Sequence, residues 1–449
     1  MEIKRYLTMS ALGALALAGG NAEAGKTTVP VELRTTVDRP LIVSEGDAQK
    51  VVIKIEVEGE KVALAHRAPL NLSIVLDRSG SMSGAKLEQA KQAAAMLIDQ
   101  LGEDDVVSVV LYDTEVDVLV PARRLEGRRN QIQRMISRVQ TGGSTALYAG
   151  VEEGGDQLRE FFTKEKVNRV ILLSDGIANV GPSSNREIAS LGTQLARDGM
   201  SVTTIGLGND YNETLMTALA EASDANYYYV EDVERLPDVF AKELGELQSI
   251  VARDIEIEIR CPKGVRPLRF LGRPGELKKR TESVAFGTLS SQQVRELYLE
   301  CLIEPESFDS VSEIAECSVR FKHAASGDSA SAKVSPVVVG YTKDTTLAEK
   351  SVNRAIVAEA AIFANAVETE RAIALADEGN IEACRDQLRG QWSTLKEAYA
   401  AAPAAQQAQL AEEIRSVEEA ERDLEDNQLS KAQRKKLSND AFMLRNSKR

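Results

Sequence analysis

Leu72-Ser73-Ile74-Val75-Leu76-Asp77-Arg78-Ser79-Gly80-Ser81 joins a short apolar run to a polar loop, and the fold follows from that junction. A short apolar run bounded by polar residues reads as a buried strand. It feeds a loop with one carboxylate and two hydroxyls at alternate positions, Asp77, Ser79 and Ser81. An amphipathic helix follows, with Leu87, Ala90, Ala94, Leu97 and Leu101 at three- and four-residue spacing, stopping before Gly102. Alternation lets Ser79 and Ser81 point the same way from an extended loop. A set of oxygen ligands alone suits a hard divalent cation such as Mg²⁺ or Mn²⁺. Ca²⁺ is the poorer match, because its longer bonds and higher coordination number do not suit a tight site.

Two further segments extend the set. Thr141-Gly142-Gly143-Ser144-Thr145 places two glycines before a threonine, so that its loop can approach closely, and Leu172-Leu173-Ser174-Asp175-Gly176 ends a later buried run. Each piece has an ordinary reading: Asp after a strand and Ser before a helix are common N-caps, and Gly142-Gly143 can be a plain turn. The five positions together, in order and on strand ends and loops, form a pattern those readings do not supply.

Outward from this core, the pattern predicts strands at Leu70–Leu76, Val106–Tyr112, Asp117–Val120, Val167–Leu173, Ser201–Leu207 and Asn226–Val230, with helices between them. The last helix has Pro237 in its first turn and Leu236, Phe240, Leu244 and Leu247 along one face. Such alternation implies an α/β fold, a doubly wound and mostly parallel sheet. The short gap between Tyr112 and Asp117 fits a hairpin, which makes one edge strand antiparallel. Ligands in such sheets bind beyond the strand C-termini where strand order reverses, so Asp77 and Asp175 can face one crevice.

Texture changes on both sides. Val29 to Val37 and Val51 to Val57 alternate apolar and polar, as do Ile255, Ile257, Ile259, then Leu297, Leu299, Cys301, Ile303 and Cys317, Val319, Phe321. The first segment is too short to bury a core alone, which favours one β-sandwich with the α/β domain inserted into it. From about Thr345 the chain turns helical, and one helix carries Ile381, Cys384, Leu388, Trp392 and Leu395 on one face. The expected division is 1–24 signal peptide, 25–68 first part of the sandwich, 69–250 the α/β domain, 251–342 second part of the sandwich, and 343–449 a helical region with a basic tail. That tail (Lys431, Arg434, Lys435, Lys436, Arg445, Lys448, Arg449) reads as a solvated end or as a contact for an acidic partner or membrane surface.

The 449 residues, 43% apolar and 28% charged, describe a globular chain of two or three domains, and a net charge of −14 argues against nucleic acid as partner. Lys4 and Arg5 precede a weakly apolar run to Gly20, and Ala22-Glu23-Ala24 supplies a cleavage site, the layout of a secretory signal peptide. The mature chain is then periplasmic or secreted, with no later stretch long enough to span a membrane. Four cysteines (Cys261, Cys301, Cys317, Cys384) leave disulfides open, the first three also fitting inward strand faces. Only His66 and His323 exist, which excludes a His-rich zinc site.

At Asp77, Ser79, Ser81, Thr145 and Asp175 the chain resembles the von Willebrand factor type A family, over roughly Pro69 to Ile250. The resemblance implies a metal-ion-dependent adhesion site. In it, Ser79, Ser81 and Thr145 supply direct or switching hydroxyl ligands, and Asp77 and Asp175 act directly or through water. One coordination position is left for a carboxylate of a protein partner. Arg78, Met82, Asn179 and Val180 would form a mixed rim. The order of textures resembles bacterial proteins related to inter-α-trypsin inhibitor heavy chains and the calcium-activated chloride channel group, although nothing here spans a membrane. An alternative is a structural envelope protein whose metal only stabilises loops. Enzymatic readings fit less well. Ser174-Asp175-Gly176 is similar to a metal-binding turn of haloacid dehalogenase-like phosphatases, but those need a second Asp where Ser79 stands. A Ser hydrolase needs a base beside Ser79 or Ser81, and neither histidine has a suitable context.

Overall fold

The computed structural model describes residues 30–61, 67–424 and 428–446. The signal peptide expected at 1–24 and His66 lie outside them. Among the described residues the chain opens with β1 (Val31–Val37), β2 (Leu41–Val43) and β3 (Gln49–Gly59). The α/β segment follows as β4 (Leu70–Asp77), α1 (Ala85–Gln100), β5 (Val106–Tyr112), β6 (Val116–Arg124), α2 (Arg129–Ile136), α3 (Leu147–Glu160), β7 (Val167–Ser174), α4 (Asn185–Arg197), β8 (Ser201–Leu207), α5 (Glu213–Ala222), β9 (Tyr227–Val230) and α6 (Leu236–Gln248). Strands then return as β10 (Ile250–Arg260), β11 (Val265–Phe270), β12 (Thr281–Ser290), β13 (Val294–Ile303), β14 (Val311–His323), β15 (Ser329–Lys333) and β16 (Val337–Thr342). The chain ends in α7 (Thr345–Ser351), α8 (Arg354–Asp377), α9 (Ile381–Ala401), α10 (Ala404–Asp423) and α11 (Lys431–Arg445).

The α/β sheet runs β6-β5-β4-β7-β8-β9, all parallel except the β5–β6 hairpin at one edge. β4, β5 and β7 are buried along their whole length, as a parallel sheet with helices on both faces requires. Alternate residues sort to the two faces. Leu72, Ile74 and Leu76 pack with α1 and α6, while Val75, Val110 and Leu172 pack with α3, α4 and α5. From β4 the chain winds outward through β5 and β6, then returns to β7 and winds the other way. Strand order therefore reverses between β4 and β7, and Asp77 and Asp175 stand at the C-terminal ends of those two strands.

The sandwich uses strands from both sides of this insertion. β3 lies between β1 and β13, with Val51 opposite Cys301, Ile53 opposite Leu299 and Ile55 opposite Leu297. The second sheet runs β12-β10-β14-β16-β2, and β2 joins β16 in parallel. Ile53, Ile55 and Val57 share one core with Ile255, Ile257, Ile259, Cys317, Val319 and Phe321. All four cysteines are free and buried, Cys384 under the C-terminal helices. Helix α8 fastens the helical region to the sandwich: Ile356, Ala360 and Phe363 meet Leu271 and Tyr298. Beside them, Lys54 Nζ stands 2.8 Å from both Glu296 and Glu359. On α9, Cys384, Leu388 and Leu395 are buried but Trp392 stays partly open and donates to Glu418.

The basic tail corrects the expectation of a solvated end or an external contact. Helix α11 folds back onto the α/β domain, where its cations find carboxylates of their own chain. Lys435 is buried, its Nζ 2.8 Å from Glu213 and 2.9 Å from the Tyr211 carbonyl. Lys431 pairs with Asp210 at 2.8 Å, Arg434 with Glu213 and Asp377, and Arg445 with Glu221 and Glu370. Phe442 packs edge-on against Tyr227, ring centres 5.6 Å apart. Asn439 Oδ1 accepts from the Tyr229 N–H and so covers the edge of β9. Lys448 and Arg449 lie outside the described residues. No helix among the described residues is long and apolar enough to cross a membrane.

Candidate metal centre

Past Asp77 the chain leaves the sheet and is sewn to the Gly142–Thr145 loop by backbone hydrogen bonds. Gly142 N donates to Arg78 O (2.6 Å), and Gly80 N donates to Gly143 O (3.0 Å). This approach depends on glycine: a Cβ on Gly142 would lie 1.8 Å from Asp113 Oδ2, and one on Gly143 would lie 2.2 Å from Thr114 Oγ1. The Asp113 carboxylate is itself held by Arg78, whose Nε donates at 2.9 Å.

Both site carboxylates are fully buried. Asp77 accepts from Ser79 N at 2.8 Å and from Ser174 Oγ at 3.0 Å. Burial pushes its pKa up to about 6, bonds from Ser79 pull it down, and the charge of Asp175 adds to the rise. Ser79 Oγ and Ser81 Oγ are 3.1 Å apart. Ser81 Oγ donates to Asp175 Oδ1 at 2.7 Å, and the other oxygen, Oδ2, takes a 2.5 Å bond from Lys86 Nζ. Thr145 is buried and gripped at its backbone: its N–H donates to Asn179 Oδ1 (2.9 Å), and its carbonyl accepts from Asn179 N (3.2 Å) and Val180 N (3.3 Å). Gly176 marks where these groups meet. A Cβ there would lie 3.1 Å from Thr145 Oγ1, 3.3 Å from Ser81 Oγ and 3.8 Å from Ser79 Oγ. Three hydroxyls thus surround one small space beside Asp175.

The structure therefore gathers Ser79, Ser81, Thr145 and Asp175 around Gly176, with Asp77 behind them fixing Ser79. Among the described residues no group of three or more His, Cys, Asp or Glu is placed to hold a metal ion, and the donors here are two carboxylates and three hydroxyls. Such donors fit a hard cation and not a zinc-type site. The expected rim needs correction. Met82 is fully buried in the core of the α1 face because the short turn Gly80–Met82 points it inward. Arg78 is engaged with Asp113, whereas Asn179, exposed while its side chain holds Thr145, and half-buried Val180 stay on the expected rim. Ile177 also stands out at 59% exposed, two residues after Asp175.

Sequence reasoning also missed Ser174 and Lys86. The signal for Lys86 was present: it sits in the first turn of α1, where the helix N-terminus disfavours a cation, and no side chain caps that end.

The family model of the von Willebrand factor type A domain matches residues 71–242. Protein YfbK of Escherichia coli (strain K12) is 28% identical over 228 residues, which are 50% of this chain and 39% of YfbK. Inter-alpha-trypsin inhibitor heavy chain H3 of Rattus norvegicus is 30% identical over 159 residues, 34% of this chain and 18% of that protein. This chain thus spans well under half the length of these relatives. Among solved structures, the von Willebrand factor type A protein from Catenulispora acidiphila aligns with 94% of this chain and 99% of its own, at a TM-score of 0.68 and 15% identity, a likeness of fold. With the reversed strand order, the D-x-S-x-S loop and the Thr and Asp loops beside it, residues 71–242 of this chain are a von Willebrand factor type A domain.

Proposed function

We propose that Asp77, Ser79, Ser81, Thr145 and Asp175 hold a divalent cation, Mg²⁺ or Mn²⁺, and that the ion receives an acidic side chain of a protein partner. Domains of this family commonly mediate protein–protein interaction. The observation that carries the finer reading is the space at Gly176, ringed by three hydroxyls against a buried carboxylate. Two carboxylates at most neutralise a divalent ion, so it keeps affinity for a further anionic oxygen. The ion would supply a Lewis-acidic anchor, and the protein residues fix where that anchor sits. Ile177 adds an exposed apolar side chain beside it, so the preferred partner segment has an apolar residue next to its Asp or Glu. Exchanging a metal-bound water for a carboxylate gains little by itself, so the surrounding contact decides affinity.

This is a binding role and not catalysis, for Ser79 and Ser81 face carboxylates and each other and have no neutral base. Export to the periplasm or the exterior rests on the pattern of residues 1–24. Peptides carrying one Asp or Glu beside an apolar residue, immobilised next to their Asn and Gln counterparts, test the reading. Wild type in Mg²⁺ should be retained by the acidic set alone, and both EDTA and Thr145→Ala should abolish retention while folding persists. Equal retention in all three states would leave the metal with only a loop-stabilising part, the alternative reading.

A further inference from the structure

Lys86 reaches the candidate centre from the helix that follows it. Its Nζ lies 2.5 Å from Asp175 Oδ2, a carboxylate with no exposed surface, while the lysine side chain itself is about a quarter exposed. Ser81 occupies the other oxygen of Asp175, so both oxygens are engaged. The lysine stem passes Gly208, where a Cβ would stand 3.7 Å from both Cε and Nζ. The exposed carboxylate of Asp210 is already paired with Lys431 at 2.8 Å. The ammonium thus stands between a fully buried carboxylate and solvent.

We propose that Lys86 is a displaceable counter-ion of the metal centre: its ammonium neutralises Asp175 when no metal is bound and withdraws toward solvent when a divalent cation is seated. The inference rests on the reading of the five residues as metal ligands. Its physical basis is charge. A buried carboxylate without a counter-charge is costly, and the Lys86 ammonium beside Asp175 meets that need. A divalent ion placed among the hydroxyls beside Asp175 would share Oδ2's surroundings with an ammonium, and like charges at such range in a dry site repel strongly. Metal and lysine therefore compete for one carboxylate. The device keeps the metal-free centre ordered, and it sets the threshold of metal concentration at which the centre loads.

The test measures Mn²⁺ binding by titration calorimetry, and melting temperature in EDTA, for the full chain as wild type, Lys86→Met and Lys86→Arg. Methionine keeps the stem and removes the charge. Lys86→Met should bind Mn²⁺ at least tenfold more tightly than wild type, melt lower in EDTA, and recover wild-type melting at saturating Mn²⁺. Lys86→Arg, keeping the charge, should stay within threefold of wild type. Binding by Lys86→Met that equals or falls below wild type overturns the proposal. Should Lys86→Met not fold, the lysine side-chain NMR resonances of wild type decide: Lys86 must shift on saturation with Mg²⁺, and an unmoved Lys86 overturns it. Asp77→Ala, titrated in parallel, separates the two readings. If it binds Mn²⁺ as wild type does, the metal reading fails; if it loses binding while Lys86→Met gains nothing, only the lysine's role fails.

Discussion

At the scale of single residues, the centre is a matter of what glycine leaves open. Gly176 has space for a methyl group only by intruding on three hydroxyls, none closer than 3.1 Å, so Gly176→Ala fills the cradle without a severe clash. It should lower stability by about 1–3 kcal/mol while abolishing the metal-induced rise in melting temperature. A variant that still responds to Mg²⁺ places the ion elsewhere. Asp38 offers a pH test away from the centre. Burial raises its pKa to about 6 although the Val52 N–H donates to it. The folded protein thus holds this proton more tightly than the unfolded chain. Its contribution is fully present below about pH 4 and is lost as pH rises through about 6. Asp38→Asn, which keeps an oxygen for Val52, should match wild type at pH 4 and exceed it at pH 7.5 by on the order of 2–3 kcal/mol. Denaturant titrations at both pH values check the sign.

The residues legible in the sequence were those whose meaning is local. Asp77, Ser79 and Ser81 show their spacing within five positions, and Asp175 shows its place at a strand end. Lys86 was missed because its partner is 89 positions away. Met82 was misassigned because a residue beside a polar loop gives no hint that a single short turn sends it to the core.

At the scale of elements, the strands of the α/β sheet could be read because uninterrupted apolar runs bounded by turns have one meaning, and β5 and β8 fall where the pattern put them. Helix α11 could not be read. Its charges look like a solvated tail, because Glu213 and Glu221, which receive them, lie more than 200 positions earlier. Its apolar residues divide between two cores, Leu437, Ala441 and Leu444 facing the helical region and Phe442 facing the α/β domain. Phe442→Ala should therefore cost about 3–5 kcal/mol. It should also speed amide exchange in β9, whose edge α11 covers. Unchanged exchange at Tyr229 would show that the helix does not hold that edge.

At the scale of the whole molecule, the domain that bears the centre is inserted in a sandwich built from strands on both sides of it, and α11 clamps it from a third direction. Order in the centre is thus tied to order in the entire chain, and a cation that binds only the folded form must stabilise the whole by mass action. The direct test is the melting temperature of wild type and Asp77→Ala as Mg²⁺ is raised from zero to millimolar. Asp77 anchors Ser79 from behind, so wild-type melting should climb steadily with the logarithm of Mg²⁺ while Asp77→Ala, though folded, does not respond. Equal climbs in the two proteins, or none in either, would contradict the metal reading.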